Sequence, residues 1–414
     1  MNERAYAVAR LVAPRIHAHF TSHQQLDRPS GSGVVNAVPD ERAIEAIIDT
    51  AFWASLRREE AYVPKISLAF LPPAATDHPL VLEHPLPLDP AVLTRVSPAV
   101  ERPGIHLGVA YDDGELRVWG TAQAIPPHSF VAEVIEPGLI VIKHRRGREA
   151  TKFVNVAVLQ GDRIKVIDEK ASAMPDCPPL LTTLLVGEPG AGMRGPGSGI
   201  GDPRMLTDGN KGTSDESRVP NPESRIPNPE SRVDVLVQLA VSMRAHRRGG
   251  LLMIVPPGDE AWRDSIVQPI PYAVSPAFSE LGQLVKNARA DDERQWQESL
   301  SRGIEAVAGL TAVDGATLMT STYDVLAFGA KIARRRGHSP VEQMTVTEPV
   351  EGDTPSIINP TTFGGTRHLS AAQFVHDQRD AVALVAGQDG RFTVFAWSPC
   401  IDMVHAHRVE TLLL

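Results

Sequence analysis

Two short segments in the C-terminal half carry residue types suited to phosphate chemistry. The first is Val313-Asp314-Gly315-Ala316, at the start of a strand-like run. A carboxylate beside small residues can hold Mg²⁺ or Mn²⁺ and orient a hydroxyl nucleophile. The second is Gly364-Gly365-Thr366-Arg367-His368-Leu369-Ser370-Ala371-Ala372, a glycine turn leading into a helical pattern. Glycines let a ligand approach the backbone closely, and a helix start offers N–H groups and the positive end of the dipole. Arg367 and His368 add cationic donors there, and Thr366 or Ser370 is placed to cap the helix. A capped helix with a solvated Arg367 and a packed His368 would show the same letters. An Asp in an ordinary turn would likewise account for Asp314.

The elements that must position these residues alternate. Residues 233–248 read as an amphipathic helix and GGLLMIVPP as a buried strand. Residues 275–289 and 293–310 read as helices, and DGATLMTSTYDVLAFGAKI as two strands joined by a turn. A helix at 370–380 and strands at 381–387 and 391–397 follow. This alternation predicts an α/β domain with a mixed sheet over 233–414.

The N-terminal part reads differently. Helices are expected at 3–20 and 40–61, the second capped by Asp40, followed by the strand ISLAFLPP. The proline-rich residues 72–103 read as extended loop. Strands are expected at 105–111, 116–122, 138–144, 155–161 and 163–168, with Asp112-Asp113-Gly114 marking a hairpin. Residues 1–180 are therefore expected to form an α+β domain. Residues 187–232, rich in Gly and Pro and repeating ESRVPNP, ESRIPNP and ESRV, are expected to be a disordered insert or linker. The run GAGMRG (190–195) within it matches a dinucleotide-binding pattern, but glycine and proline follow it instead of a helix.

In their order and setting, the two phosphate-type segments resemble the diadenylate cyclase domain family of the DisA-N type. That family carries a D-G-A motif and a G-T-R-H-R motif separated by a strand and loop. The resemblance covers about residues 235–398. It points to the subgroup whose cyclase domain follows an N-terminal sensor domain, DACNV-like. It implies that each domain binds one ATP and that two domains meet face to face as a homo-dimer or higher oligomer. Each 3′-OH then attacks the other α-phosphate, giving cyclic di-AMP and pyrophosphate. On this sequence it implies Asp314 as the ligand of Mg²⁺ or Mn²⁺ and helper of the 3′-OH, with Gly315 and Ala316 against the nucleotide. Arg367 and His368, with Gly365, Thr366 and Ser370, would hold phosphates, and Lys331 and Ile332 match the adenine-contacting strand. Two positions depart from the pattern. Leu369 stands where the family has its second arginine, and Val385-Ala386-Gly387-Gln388 stands where many members read V-S-E or V-S-Q. A sensor that binds nucleotide without turnover is a second reading, and an interaction protein working through its N-terminal domain is a third.

Composition sets the frame. At 414 residues, 42% hydrophobic and 22% charged, the chain is long enough for two cored domains. A net charge of −9 gives no global attraction to nucleic acid or an anionic membrane, so neither is expected as a partner. Two cysteines, Cys177 and Cys400, form no disulfide framework, and no apolar run marks a leader or a membrane span; a cytoplasmic protein is expected. His17, His19 and His23, and also His405 and His407, are expected as surface clusters. The basic run 143–152 is expected to be a solvated hairpin loop, and RRRGH (334–338) either faces phosphates or a second subunit or is a solvated loop. Trp262 and Tyr272 are expected to pack a proline-rich loop.

Overall fold

The computed structural model describes residues 5–26, 38–58, 64–76, 79–100, 104–123, 125–145, 153–168, 229–286 and 293–414. The GAGMRG run, the ESR repeats up to residue 228, Cys177 and most of the basic run 143–152 lie outside these. The chain divides into two units. The first comprises residues 1–172, 347–355 and 407–414, and the second residues 173–346 and 356–406. The fold is mixed α/β: an α+β N-terminal body and an α/β C-terminal body, each built on a mixed sheet.

The first unit begins with α1 (Ala7–Leu26) and α2 (Glu41–Ser55). Asp40 caps α2 as its sequence predicts, accepting from the Ala43 N–H at 2.8 Å. Then come β1 (Ile66–Phe70), β2 (Leu80–Pro87), α3 (Pro90–Val96), β3 (Ile105–Asp112), β4 (Glu115–Gln123), β5 (Phe130–Glu136), β6 (Leu139–Arg145), β7 (Phe153–Gln160) and β8 (Arg163–Val166). They form one sheet in the order β2-β4-β3-β1-β5-β6-β7-β8, with β1 and β3 parallel and the other pairs antiparallel. The turn Asp113-Gly114 closes the β3–β4 hairpin, Asp112 opposite Glu115. Alternate strand residues such as Leu68, Val109, Phe130 and Ile142 pack with Ile16, Ile44 and Ile47 of the helices. The opposite face buries Leu71, Trp119 and Val131.

The expectation of loop over 72–103 is corrected here, because that stretch holds β2 and α3. Strand β2 is an edge strand, where Pro85 and Pro87 need not donate to a neighbour. The histidines near the N-terminus are not a surface cluster in the described residues. His17 Nδ1 lies 3.0 Å from the Pro39 carbonyl, and the half-buried His19 ring packs 5.6 Å from that of His144.

The second unit opens with α4 (Pro229–Ala245), which begins inside the stretch expected to be insert. It continues through β9 (Gly250–Val255), β10 (Tyr272–Phe278), α5 (Glu280–Lys286), α6 (Glu293–Leu310), β11 (Ala316–Thr320), β12 (Val325–Ala330), β13 (Met344–Thr347), β14 (Ser356–Ile358), α7 (Pro360–Phe363), α8 (Thr366–Asp377), β15 (Val382–Ala386), β16 (Phe392–Ser398) and β17 (Met403–Arg408). The sheet order is β10-β12-β11-β9-β15-β16-β17-β13-β14. The core on one face joins Met253, Leu318, Ala383 and Phe395 to Ala371, Phe374 and Val375 of α8.

Three expectations change. The helix predicted over 275–289 is the strand β10 followed by the short α5. Strands β13, β14 and β17 have no counterpart in the sequence reading. His405 and His407 are not surface residues: they lie in β17, an interior strand between β16 and β13, 1% and 0% exposed, with His407 Nδ1 2.8 Å from Thr347 Oγ1.

His106 in β3 is buried, and its Nδ1 lies 2.7 Å from Ser67 Oγ. Burial first, and Lys143 second, push its pKa from the ordinary 6.5 down to about 4. Between those values the unfolded chain binds the proton and the folded chain does not, so stability rises with pH across that window and is lost as pH falls through it. Urea unfolding of His106→Gln and of the parent chain should therefore diverge below pH 6.5. The parent's extra acid sensitivity should reach about 3 kcal/mol.

Candidate functional site

Strand register gathers the predicted residues. Strands β9 and β11 run parallel, Leu252 beside Thr317, so both start at the same end of the sheet. Strand β12 is antiparallel to β11, Ala330 opposite Ala316, and β15 is antiparallel to β9, Ala386 opposite Gly250; both therefore end there. Asp314-Gly315 before β11, Lys331 after β12, Gly249 before β9 and Gln388 after β15 thus share one rim. Neighbouring strands lie about 4.8 Å apart, so these mouths are adjacent.

Helix α8 runs back along this sheet and returns its N-terminus to the same rim. Arg367 packs over Gly249, where an added Cβ would lie 2.7 Å from Nη1 and 3.4 Å from Gln388 Cγ. The N-cap of α8 is Gly365, and no side chain caps it. The expected capping by Thr366 or Ser370 is thus corrected: Thr366 is exposed, Ser370 half-exposed, and both lie inside the helix. The first N–H groups of α8 are left for other acceptors.

His368 takes a partly packed position. Its ring covers Gly364, where a Cβ would meet Nδ1 at 2.6 Å. It lies edge-on to Phe363 at 5.5 Å and to Phe395 at 6.1 Å. Leu369 is 36% exposed on the first turn. Asp314 and Lys331 are exposed, whereas Ile332 is half-buried against the core.

The Asp314-Gly315 loop has its own packing reason. Gly315 has φ +111, and a Cβ there would lie 2.5 Å from the Gly329 carbonyl carbon. Gly329 has φ +63, and a Cβ there would lie 2.7 Å from Tyr272 Cδ2. Both positions need a left-handed backbone and have no room for a side chain. Tyr272 stacks on Phe328, centroids 4.8 Å apart and 10° between planes, and is 51% exposed. It belongs to this edge pair instead of packing a proline-rich loop, while Trp262 is buried beneath Arg263.

The run 334–338 does not join this rim. The Arg335 N–H donates to Asp377 Oδ2 at 2.9 Å, and His338 Nδ1 lies 3.2 Å from Asp377 Oδ1. Asp377 ends α8, at the far end of the sheet. A cleft of 510 Å³ lined by Val255, Arg335, His376 and Asp377 lies there and contains none of the predicted residues.

Sequence reasoning missed the turn His246-Arg247-Arg248-Gly249, whose Gly249 lies under Arg367, and named Gln388, beside the same glycine, only as a departure from the family pattern. The signal was present as the basic run RAHRR just before a buried strand.

For a divalent ion the donor set is sparse. Among the described residues no three His, Cys, Asp or Glu side chains are grouped to hold one. One exposed carboxylate suits Mg²⁺ or Mn²⁺ only when phosphate oxygens and water complete the shell, the usual manner for Mg²⁺.

Residues 34–123 match the family described as Probable sensor domain DACNV. The DACNV segment runs from α2 to β4 within the first unit and assigns nothing to Asp314 or Arg367. No curated protein matches the chain. Among the described residues no helix is long and apolar enough to cross a membrane.

Gly315→Ala tests the rim's packing. A methyl driven into the Gly329 backbone should displace the Asp314 loop and cost about 1–3 kcal/mol in thermal or urea unfolding. Asp314→Ala, an exposed change, should cost less than about 0.5 kcal/mol.

Proposed function

We propose that this chain is a cytoplasmic diadenylate cyclase controlled by its DACNV sensor segment. The observation that supports the reading most is the meeting of the Asp314-Gly315 loop and Arg367 on adjacent strand mouths of one sheet. A nucleotide lying across that rim would place its ribose near Asp314 and its phosphates near Arg367 and the uncapped start of α8. Each such site holds one nucleotide, so the reaction calls for two copies face to face.

In the reaction the 3′-oxygen of one ATP forms a bond to the α-phosphorus of the other. The bond from that phosphorus to the bridging oxygen of pyrophosphate breaks, and the 3′-hydroxyl proton leaves to Asp314 or water. The reciprocal step closes the ring, giving cyclic di-AMP and two pyrophosphates. Arg367 and the N–H groups of Thr366 and Arg367 would stabilise charge gathering on the leaving pyrophosphate. Mg²⁺ or Mn²⁺ shared by Asp314 and phosphate oxygens would supply Lewis-acid stabilisation of that charge. His368, held between Phe363 and Phe395, would position the first turn of α8 and offer one polar edge.

A second reading is a nucleotide-binding sensor without turnover. Leu369 favours it, because an apolar side chain on the first turn removes a cationic donor from the phosphate side.

The test is product analysis. The full chain incubated with ATP and Mn²⁺ or Mg²⁺ should yield cyclic di-AMP on chromatography with mass detection. Asp314→Asn and Arg367→Ala should each lower the yield at least about 100-fold. ATP binding without any cyclic product would favour the second reading.

A further inference from the structure

The turn between α4 and β9 holds an arginine in a way that its sequence did not suggest. The Arg248 N–H donates to His246 Nδ1 at 3.1 Å, and its carbonyl accepts from Gln388 Nε2 at 3.3 Å. His246 Nε2 in turn lies 3.4 Å from the buried Thr311 Oγ1. The Arg248 backbone is thus braced from both sides, while its side chain is exposed. On the next residue, Gly249, lies the guanidinium of Arg367.

Neither guanidinium has a carboxylate partner among the described residues, and Asp389 nearby is paired with Arg391 at 3.3 Å. His246 reports on both. Burial, then Arg248, and more weakly Arg367 push its pKa down, against a backbone hydrogen bond that raises it. Arg248 directly precedes the glycine that Arg367 covers, so both arginines are rooted at the same strand mouth of the rim. Two uncompensated guanidiniums within a few residues' reach repel each other. A multiply charged anion between them would relieve that repulsion and accept charge-assisted hydrogen bonds from both.

We propose that Arg248 is a second polyphosphate-positioning residue, holding the anionic tail of the nucleotide together with Arg367. The inference rests on the nucleotide reading above and extends it to a residue outside both motif segments. It also gives the rim a second arginine although Leu369 offers none.

The test separates the phosphates from the base. The full-length chain in Mg²⁺ is titrated by calorimetry with ATP, with inorganic tripolyphosphate and with adenosine. Arg248→Ala should weaken ATP and tripolyphosphate about ten-fold or more and leave adenosine unchanged. Arg248→Lys should retain part of the binding, and the melting temperature should not move, because the side chain is exposed. If Arg367→Ala weakens tripolyphosphate while Arg248→Ala binds it like the parent, the inference is overturned and the nucleotide reading stands. If the parent chain binds neither ATP nor tripolyphosphate, both fall.

Discussion

The parallel pairing of β9 with β11 is the constraint on which the arrangement of the second unit's rim depends. Every other neighbour of these two strands is antiparallel. Two strands that start together, flanked by two that end together, collect four connections on one rim. The connections come from residues 249, 314, 331 and 388, which are far apart in the chain. Only the ladder of hydrogen bonds places them within a few strand widths. Helix α8 completes the set, because its apolar face must cover the sheet core and its direction is fixed by the short turn into β15.

The rim is kept tight by missing side chains. Gly315 against Gly329, and Gly329 against Tyr272, leave no space for a Cβ. That close approach lets an exposed carboxylate at 314 sit directly beside the sheet end. The cationic side is built differently, from Arg367 folded over Gly249 and from a turn braced by His246, Thr311 and Gln388. Charge is brought to the rim by long flexible side chains, while the backbone beneath them is fixed.

The first unit obeys a simpler logic. Its sheet buries one face under α1 and α2 and closes the other with Trp119 and Leu71, the indole N–H donating to the Leu71 carbonyl at 2.7 Å. The match to a probable sensor domain, residues 34–123, falls within this unit. Sensing and nucleotide chemistry, on this reading, belong to different parts of the chain.

Strong local patterns were legible in the sequence. The runs around 105–111, 116–122, 250–255 and 382–386 became strands, since continuous or alternating β-branched residues state their own burial. The Asp40 cap and the Asp113-Gly114 hairpin followed from local hydrogen bonding and turn chemistry alone. The two phosphate-type segments could also be picked out, because Asp-Gly-Ala and Gly-Gly-Thr-Arg-His are short and chemically loaded. What failed was whatever a neighbour decides. Strands β2 and β10 carry prolines and exposed residues, patterns that only an edge position allows. His405 and His407 look like surface residues until β13 and β16 enclose them. Arg248 figured only as the last residue of the helix expected over 233–248. The sequence by itself determined which residues could do chemistry and most of the elements that carry them, because those depend on contacts a few residues apart. The tertiary structure alone decided which of them share a rim, because strand order and direction are set by long-range pairing that no local pattern records.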